Sequence, residues 1–182
     1  MKTYWMALFL LLCYSDSKAS HLAVGEMTYN YLGNDLYEIT LTLYRDCRSP
    51  AQGGGNPAAI MGDDPAYISI YKGDQFYLAD SVFSTNQQTY SLNGSYCYKS
   101  TPVTCINQIT FKFTKQLPAS SEPYTIITQR CCMNAEIANI LAPDSRGNHF
   151  MCVIPPSLQD KNSSAVFKKA TNLFYAVARL LR

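Results

Sequence analysis

The chain has 182 residues and a formal net charge of +2, a balance that carries no electrostatic footprint for nucleic acid. With 47% hydrophobic and 15% charged residues it has enough apolar material for a core, and it lacks the composition of a disordered chain. Fourteen tyrosines, eight phenylalanines, nine glycines and nine prolines favour strands and turns over helices.

The N-terminal segment predicts an export signal. Lys2 supplies the positive start, Tyr4 to Tyr14 an apolar stretch, and Ser17-Lys18-Ala19 the small residues of a cleavage site after Ala19. A membrane span needs roughly 20 apolar residues, which neither this stretch nor any later one supplies. Lipidation at Cys13 is disfavoured by Leu12, which stands where a small residue is wanted. Residues 1–19 are therefore expected to be removed. The remainder, roughly 160 residues with no transmembrane span, is the size of one domain or a tight pair of small ones.

Strand follows strand from there. Leu22 to Leu32 precedes Gly33-Asn34-Asp35, a hairpin turn. Leu36 to Cys47 alternates Tyr37, Ile39, Leu41 and Leu43 against Glu38, Thr40 and Thr42, which is the pattern of a half-buried strand. Residues 48–66, with Gly53-Gly54-Gly55 and three prolines, predict a long loop. Tyr67 to Tyr71 and Gln75 to Phe83 form a second hairpin around Lys72-Gly73-Asp74. After a polar stretch come Ile106 to Leu117, Tyr124 to Cys132 and His149 to Ile154, with Ala135 to Leu141 as one short helical turn or an irregular loop.

About seven short strands imply an antiparallel β-sandwich, immunoglobulin-like or jelly-roll-like, with a closed barrel as the rival. The sandwich is expected over residues 20–157, followed by a linker and basic tail over 158–182. Within that tail Val166, Ala170, Leu173, Val177, Leu180 and Leu181 recur at helical spacing, with Lys168, Lys169, Arg179 and Arg182 around them. This predicts an amphipathic helix packed on the sandwich, or a tail without a role. A helix that meets a membrane surface or a partner is the alternative.

Without Cys13, six cysteines remain: Cys47, Cys97, Cys105, Cys131, Cys132 and Cys152. An even count in an exported chain reads as a disulfide framework. A bond between the adjacent Cys131 and Cys132 is set aside as strained. Cys97 and Cys105 bracket a Pro-containing loop and form the expected local pair, leaving Cys131 and Cys132 to reach Cys47 and Cys152 in either order. Zinc is disfavoured because the chain has no CxxC pair and no nearby histidine cluster.

Candidates for chemistry are few. His21 and His149 read as surface residues, and Gly53-Gly54-Gly55 lacks the lysine and strand–helix context of a phosphate loop. No GxSxG or HExxH pattern occurs. Asp63-Asp64 with Asp74 is a candidate calcium loop, although solvated turn aspartates are the plainer reading; no other cofactor is expected. Arg45 or Arg130 is expected to pair with a buried carboxylate and tie two strands together. Tyr29, Tyr31, Tyr37 and Tyr44 are expected to form an exposed row suited to stacking on sugar rings.

Several segments taken in order are more specific. Gly25-Glu26-Met27-Thr28-Tyr29, Leu36 to Cys47, Pro65 to Tyr71, the Cys97–Cys105 loop, Tyr124 to Asn134 with Ile137 to Ile140, and Asn162 to Phe167 together resemble the start of large cell-surface proteins of gliding bacteria. These are the gliding-motility-associated, PKD-domain-containing proteins exported by type IX secretion, and the likeness covers about residues 20–167. Cys152 stands outside the cysteine pattern of that family. Its members run on through further β-domains, so the text after about residue 167 reads as truncated or frame-shifted. The resemblance implies an exported, non-enzymatic module in surface adhesion, or the N-terminal scaffold domain of a longer protein. Its expected partners are other cell-surface proteins or extracellular polysaccharide. A glycan-binding module and a secreted hydrolase are the alternatives.

Overall fold

The computed structural model describes residues 22–48, 64–91, 105–135, 137–158 and 161–166. Among these residues eight strands follow in order: β1 (Leu22–Gly33), β2 (Leu36–Asp46), β3 (Ala66–Lys72), β4 (Gln75–Val82), β5 (Asn86–Ser91), β6 (Cys105–Gln116), β7 (Tyr124–Cys131) and β8 (Gly147–Ile154). Between β7 and β8 the described residues make turns and a 3-10 turn at Pro143–Ser145, the irregular loop of the two readings for residues 135–141. The β1–β2 hairpin turns at Asn34 and Asp35, whose φ values are +49° and +58°. Positive φ at both central residues matches the turn to the twist of the strands, and Asn and Asp tolerate that region better than other side chains.

The strands form two antiparallel four-stranded sheets, ordered β1-β2-β6-β5 and β4-β3-β7-β8, packed as a sandwich. Of the two expected arrangements this is the immunoglobulin-type order, with one strand more than the seven of a constant domain. Tyr124, at the start of β7, donates from its hydroxyl to the backbone oxygen of Pro118 at 3.0 Å. That bond fastens the crossing from one sheet to the other in the manner of the tyrosine corner of such sandwiches.

The core lies between the inner faces. Ile39, Leu41 and Leu43 from β2, Ile109 and Phe111 from β6, Ile68 and Ile70 from β3, and Ile126 and Ile154 from β7 and β8 are all at 1% exposure or less. β5 is a strand that the sequence pattern does not reveal. Its text, NQQTYS, has no apolar alternation because it is the outermost strand of its sheet, largely solvent-exposed and held by pairing to β6.

Residues 161–166 run against the outer edge of β1. The Ser164 backbone N–H and hydroxyl donate to the Tyr29 backbone oxygen, while Tyr29 N–H and Tyr31 N–H donate to the hydroxyls of Ser164 and Ser163. Lys161 pairs with Asp35 at 2.6 Å. The strap blunts an edge that would otherwise present unpaired backbone groups. Residues 167–182 lie outside the described part. Among the described residues no helix is long and apolar enough to cross a membrane.

At Gly25 side chains from both sheets close on a single backbone position. A Cβ there would sit 2.7 Å from Phe150 Cε1 and 2.8 Å from Leu43 Cδ2, and Leu43 is buried and cannot swing away. Gly25→Ala is expected to lower unfolding free energy by about 1–3 kcal/mol through overpacking, read as a lower urea midpoint at unchanged slope.

Candidate functional site

The inner faces of the sandwich become polar at one end. Arg45 is fully buried, and its Nη2 donates to Asn107 Oδ1, its register neighbour on β6. Asn107 Nδ2 donates in turn to Thr89 Oγ1 on β5 at 3.2 Å, so a polar row crosses three strands. The partner of Arg45 on β6 is thus an amide. The adjacent carboxylate, Asp46, accepts from Arg48 Nε and Nη2, from the Arg48 backbone N–H, and from Asn134 Nδ2 at 3.0 Å. Asn134 N–H also donates to the Leu22 backbone oxygen, so one buried amide joins the ends of β1 and β2 to the segment after β7. Arg130 is half-buried near the end of β7.

The cysteines require correction. Cys47 is bonded to Cys105, with Cα atoms 5.0 Å apart, because β2 and β6 are neighbours and Asp46 stands opposite Ile106. Cys105 is therefore not available to Cys97, which lies outside the described residues. Cys131 and Cys132 are bonded to each other, the pairing that the sequence argument set aside. Cys131 is the last residue of β7, so the strict alternation that would aim neighbouring side chains apart ends there. Cys152 is an unbonded, buried thiol on the inner face of β8, and burial pushes its pKa up to about 12.

The tyrosine row does not exist as a surface. Tyr29 and Tyr37 are buried, at 6% and 1% exposure, and Tyr37 packs on both Tyr29 and Tyr31 with ring centroids 6.2 and 5.1 Å apart. The hydroxyl of Tyr29 donates to Asn162 in the strap. Tyr44 is half-buried on the opposite face of β2, and its hydroxyl contacts Glu26 Oε1 at 3.4 Å. Burial, and then the Glu26 charge, push its pKa up to about 12. Odd-numbered positions of β2 face inward, so Tyr37 and Tyr44 point to opposite sides of the sheet.

The calcium set is not assembled either. Asp64 and Asp74 stand at opposite ends of β3, and the Asp64 carboxylate accepts from the Ser84 N–H and hydroxyl. Asp63 and His21 lie outside the described residues, among which no cluster of three or more metal-ligating side chains occurs. His149 is exposed at the start of β8, opposite Gln129.

The two outer faces differ sharply. That of the β1-β2-β6-β5 sheet carries threonines and charges, including a Lys112–Glu38 pair at 2.9 Å. That of the β4-β3-β7-β8 sheet carries no Lys, Arg, Asp or Glu at its strand positions. One row crosses it as Phe76, Tyr71, Thr125 and Val153, and the next as Ala79, Ser69, Ile127 and Met151. Tyr67 lies beyond these on β3. Tyr67, Phe76 and Met151 are 65%, 61% and 56% exposed, and the Tyr71 and Phe76 rings meet edge to face at 5.9 Å. Sequence reasoning assigned nothing to these residues, although a signal was there. In Tyr67-Ile68-Ser69-Ile70-Tyr71 and Thr125-Ile126-Ile127 both alternating sets are largely apolar or aromatic, which is the pattern of a strand covered on both faces.

Comparison with known proteins finds no matching family model, no similar curated protein and no similar solved structure. The fold and its surfaces therefore carry the functional argument.

Three outcomes follow from the cysteines and the polar end. Cys47 and Cys105 are 58 residues apart, so replacing both by serine is expected to cost about 4 kcal/mol in chemical unfolding. In the native chain Cys152 is expected to resist alkylation until the protein unfolds. Burial opposes ionisation of Asp46, but the bonds from Arg48 and Asn134 outweigh it and hold its pKa below the ordinary 3.8. Its stabilising contribution is thus complete above that value and is lost as pH falls through the lower folded value. Acid thermal melts should show this loss, and Asp46→Asn should flatten it while lowering stability at neutral pH by about 1.5–3 kcal/mol.

Proposed function

We propose that the chain is an exported, non-enzymatic β-sandwich module that works by binding at the cell surface, in adhesion or as the N-terminal scaffold domain of a longer secreted protein. The observation that carries this reading is the open, uncharged outer face of the β4-β3-β7-β8 sheet. Contiguous exposed apolar surface of this kind marks interaction sites, and its mix of Tyr, Phe, Met, Ile and Val without acids or lysines is the composition of interface centres.

Other features lean the same way. The N-terminal export signal and the Cys47–Cys105 bond suit an oxidising, extracellular setting. The buried Cys152 offers no thiolate at neutral pH. The resemblance to surface proteins of gliding bacteria points to the same compartment.

A glycan-binding role is the second reading, favoured by one observation: Tyr67 and Tyr71 stand on the same open face, where the original tyrosine row does not. The edge-to-face packing of Tyr71 on Phe76 makes a less level platform than sugar stacking needs, so a protein partner is preferred.

The test immobilises the mature chain and offers it, separately, the cell-surface proteins and the extracellular polysaccharide of the producing cells. Retention of surface protein is expected, reduced at least tenfold by Tyr67→Asp or Val153→Asp and unaffected by Tyr44→Ala. Polysaccharide retention lost with the same variants would favour the glycan reading. Equal retention by all variants, or hydrolytic turnover of the offered material, would overturn both.

A further inference from the structure

The open face also has an internal order. Its aromatic residues stand on β3 and β4, and its aliphatic ones on β7 and β8, with the row Phe76–Tyr71–Thr125–Val153 running from one side to the other. A two-fold axis lying in the plane of the face, along the strands and midway between β3 and β7, would lay the aromatic half of one chain on the aliphatic half of another. Phe76 would then meet Val153 of a second copy and Tyr71 its Thr125, each contact made twice, as an isologous interface requires.

We propose that this face binds a second copy of the same chain, making the module homophilic; the inference rests on the reading of that face as the binding surface. Charge favours a self-partner, since a patch dominated by one sign would repel its own copy, whereas this face sets no formal side-chain charge against itself. Aromatic side chains over β-branched ones and methionine form favourable contacts, and stacked sheets of this kind pack about 10 Å apart.

Size sets the strength. Strands of seven or eight residues, at about 3.4 Å per residue and about 4.8 Å apart, give a footprint of about 450 Å² per chain. Two such surfaces come to about 900 Å², at or below the low end for specific complexes. The dimer is therefore reversible and concentration-dependent, held together in number rather than singly when many copies line a surface.

The experiment is sedimentation velocity of the mature full chain over a wide concentration range, with single charge substitutions at the two ends of the row. Both sites are exposed, so the variants retain the fold, checked by circular dichroism. The wild-type chain is expected to shift from monomer to dimer, with little sensitivity to salt. Phe76→Lys and Val153→Glu should each raise the midpoint at least tenfold. Mixed together, the two variants should recover association, because the axis lays residue 76 of one chain on residue 153 of the other. A wild-type chain that stays monomeric throughout, or a mixture no better than either variant, overturns the proposal. If the chain is monomeric while Val153→Asp still abolishes retention of other surface proteins, the homophilic partner fails and the binding face stands. If retention is also unaffected, both fall.

Discussion

Tyr37, Ile39, Leu41, Leu43 and Arg45 stand on one face of β2, none more than 1% exposed, and the rest of the molecule is arranged around that row. β2 is paired on both sides, to β1 and to β6. Its register therefore sets which residues of two further strands enter the core. A slip of one residue would turn the whole row to solvent and bring Glu38 and Thr40 inward. The Asn34–Asp35 turn holds one side of that register, and the Cys47–Cys105 bond holds the other.

The same row explains why the polar end of the core is stable. Arg45 continues the inward alternation beyond Leu43, so the strand carries a cation into the interior at the point where its apolar residues stop. The side chains around it are polar and bonded to one another: Asn107 to Arg45 and to Thr89, and Asp46 to Arg48 and Asn134. Asn134 matters beyond its size because its amide and its backbone join the ends of β1 and β2 to the loop after β7. This is a region that holds strands together.

The two outer faces differ in what they show to water. Threonines and a Lys112–Glu38 pair keep the outside of one sheet in water, while the other sheet leaves Tyr67, Phe76 and Met151 open. Water-facing aromatic and aliphatic side chains in a contiguous group give up favourable burial unless something covers them. The strap of residues 161–166 lies along the edge of β1 and leaves that sheet face exposed. Binding specificity on such a face comes from the order of side chains across strands, a property that no single strand possesses.

Local pattern was enough for the strands themselves. The alternation in β2 and β6, the Asn-Asp turn and the apolar text of β3, β7 and β8 place seven of the eight strands to within a residue or two of their ends. The inward sets Ile39, Leu41 and Leu43, and Ile109 and Phe111, follow from the same period of two. β5 escaped because an outermost strand exposed to solvent needs no apolar code; its backbone bonds to β6 define it. Everything that depends on strand order was decided in three dimensions. Cys47 meets Cys105 because β2 lies beside β6. Tyr29 and Tyr37 are buried in the core while Tyr67 stays in water. Asp64 and Asp74, close in sequence, are held apart by the length of β3. Periodicity records which side of a strand a residue takes, whereas contact between strands depends on a topology that distant parts of the chain settle together through the core they share.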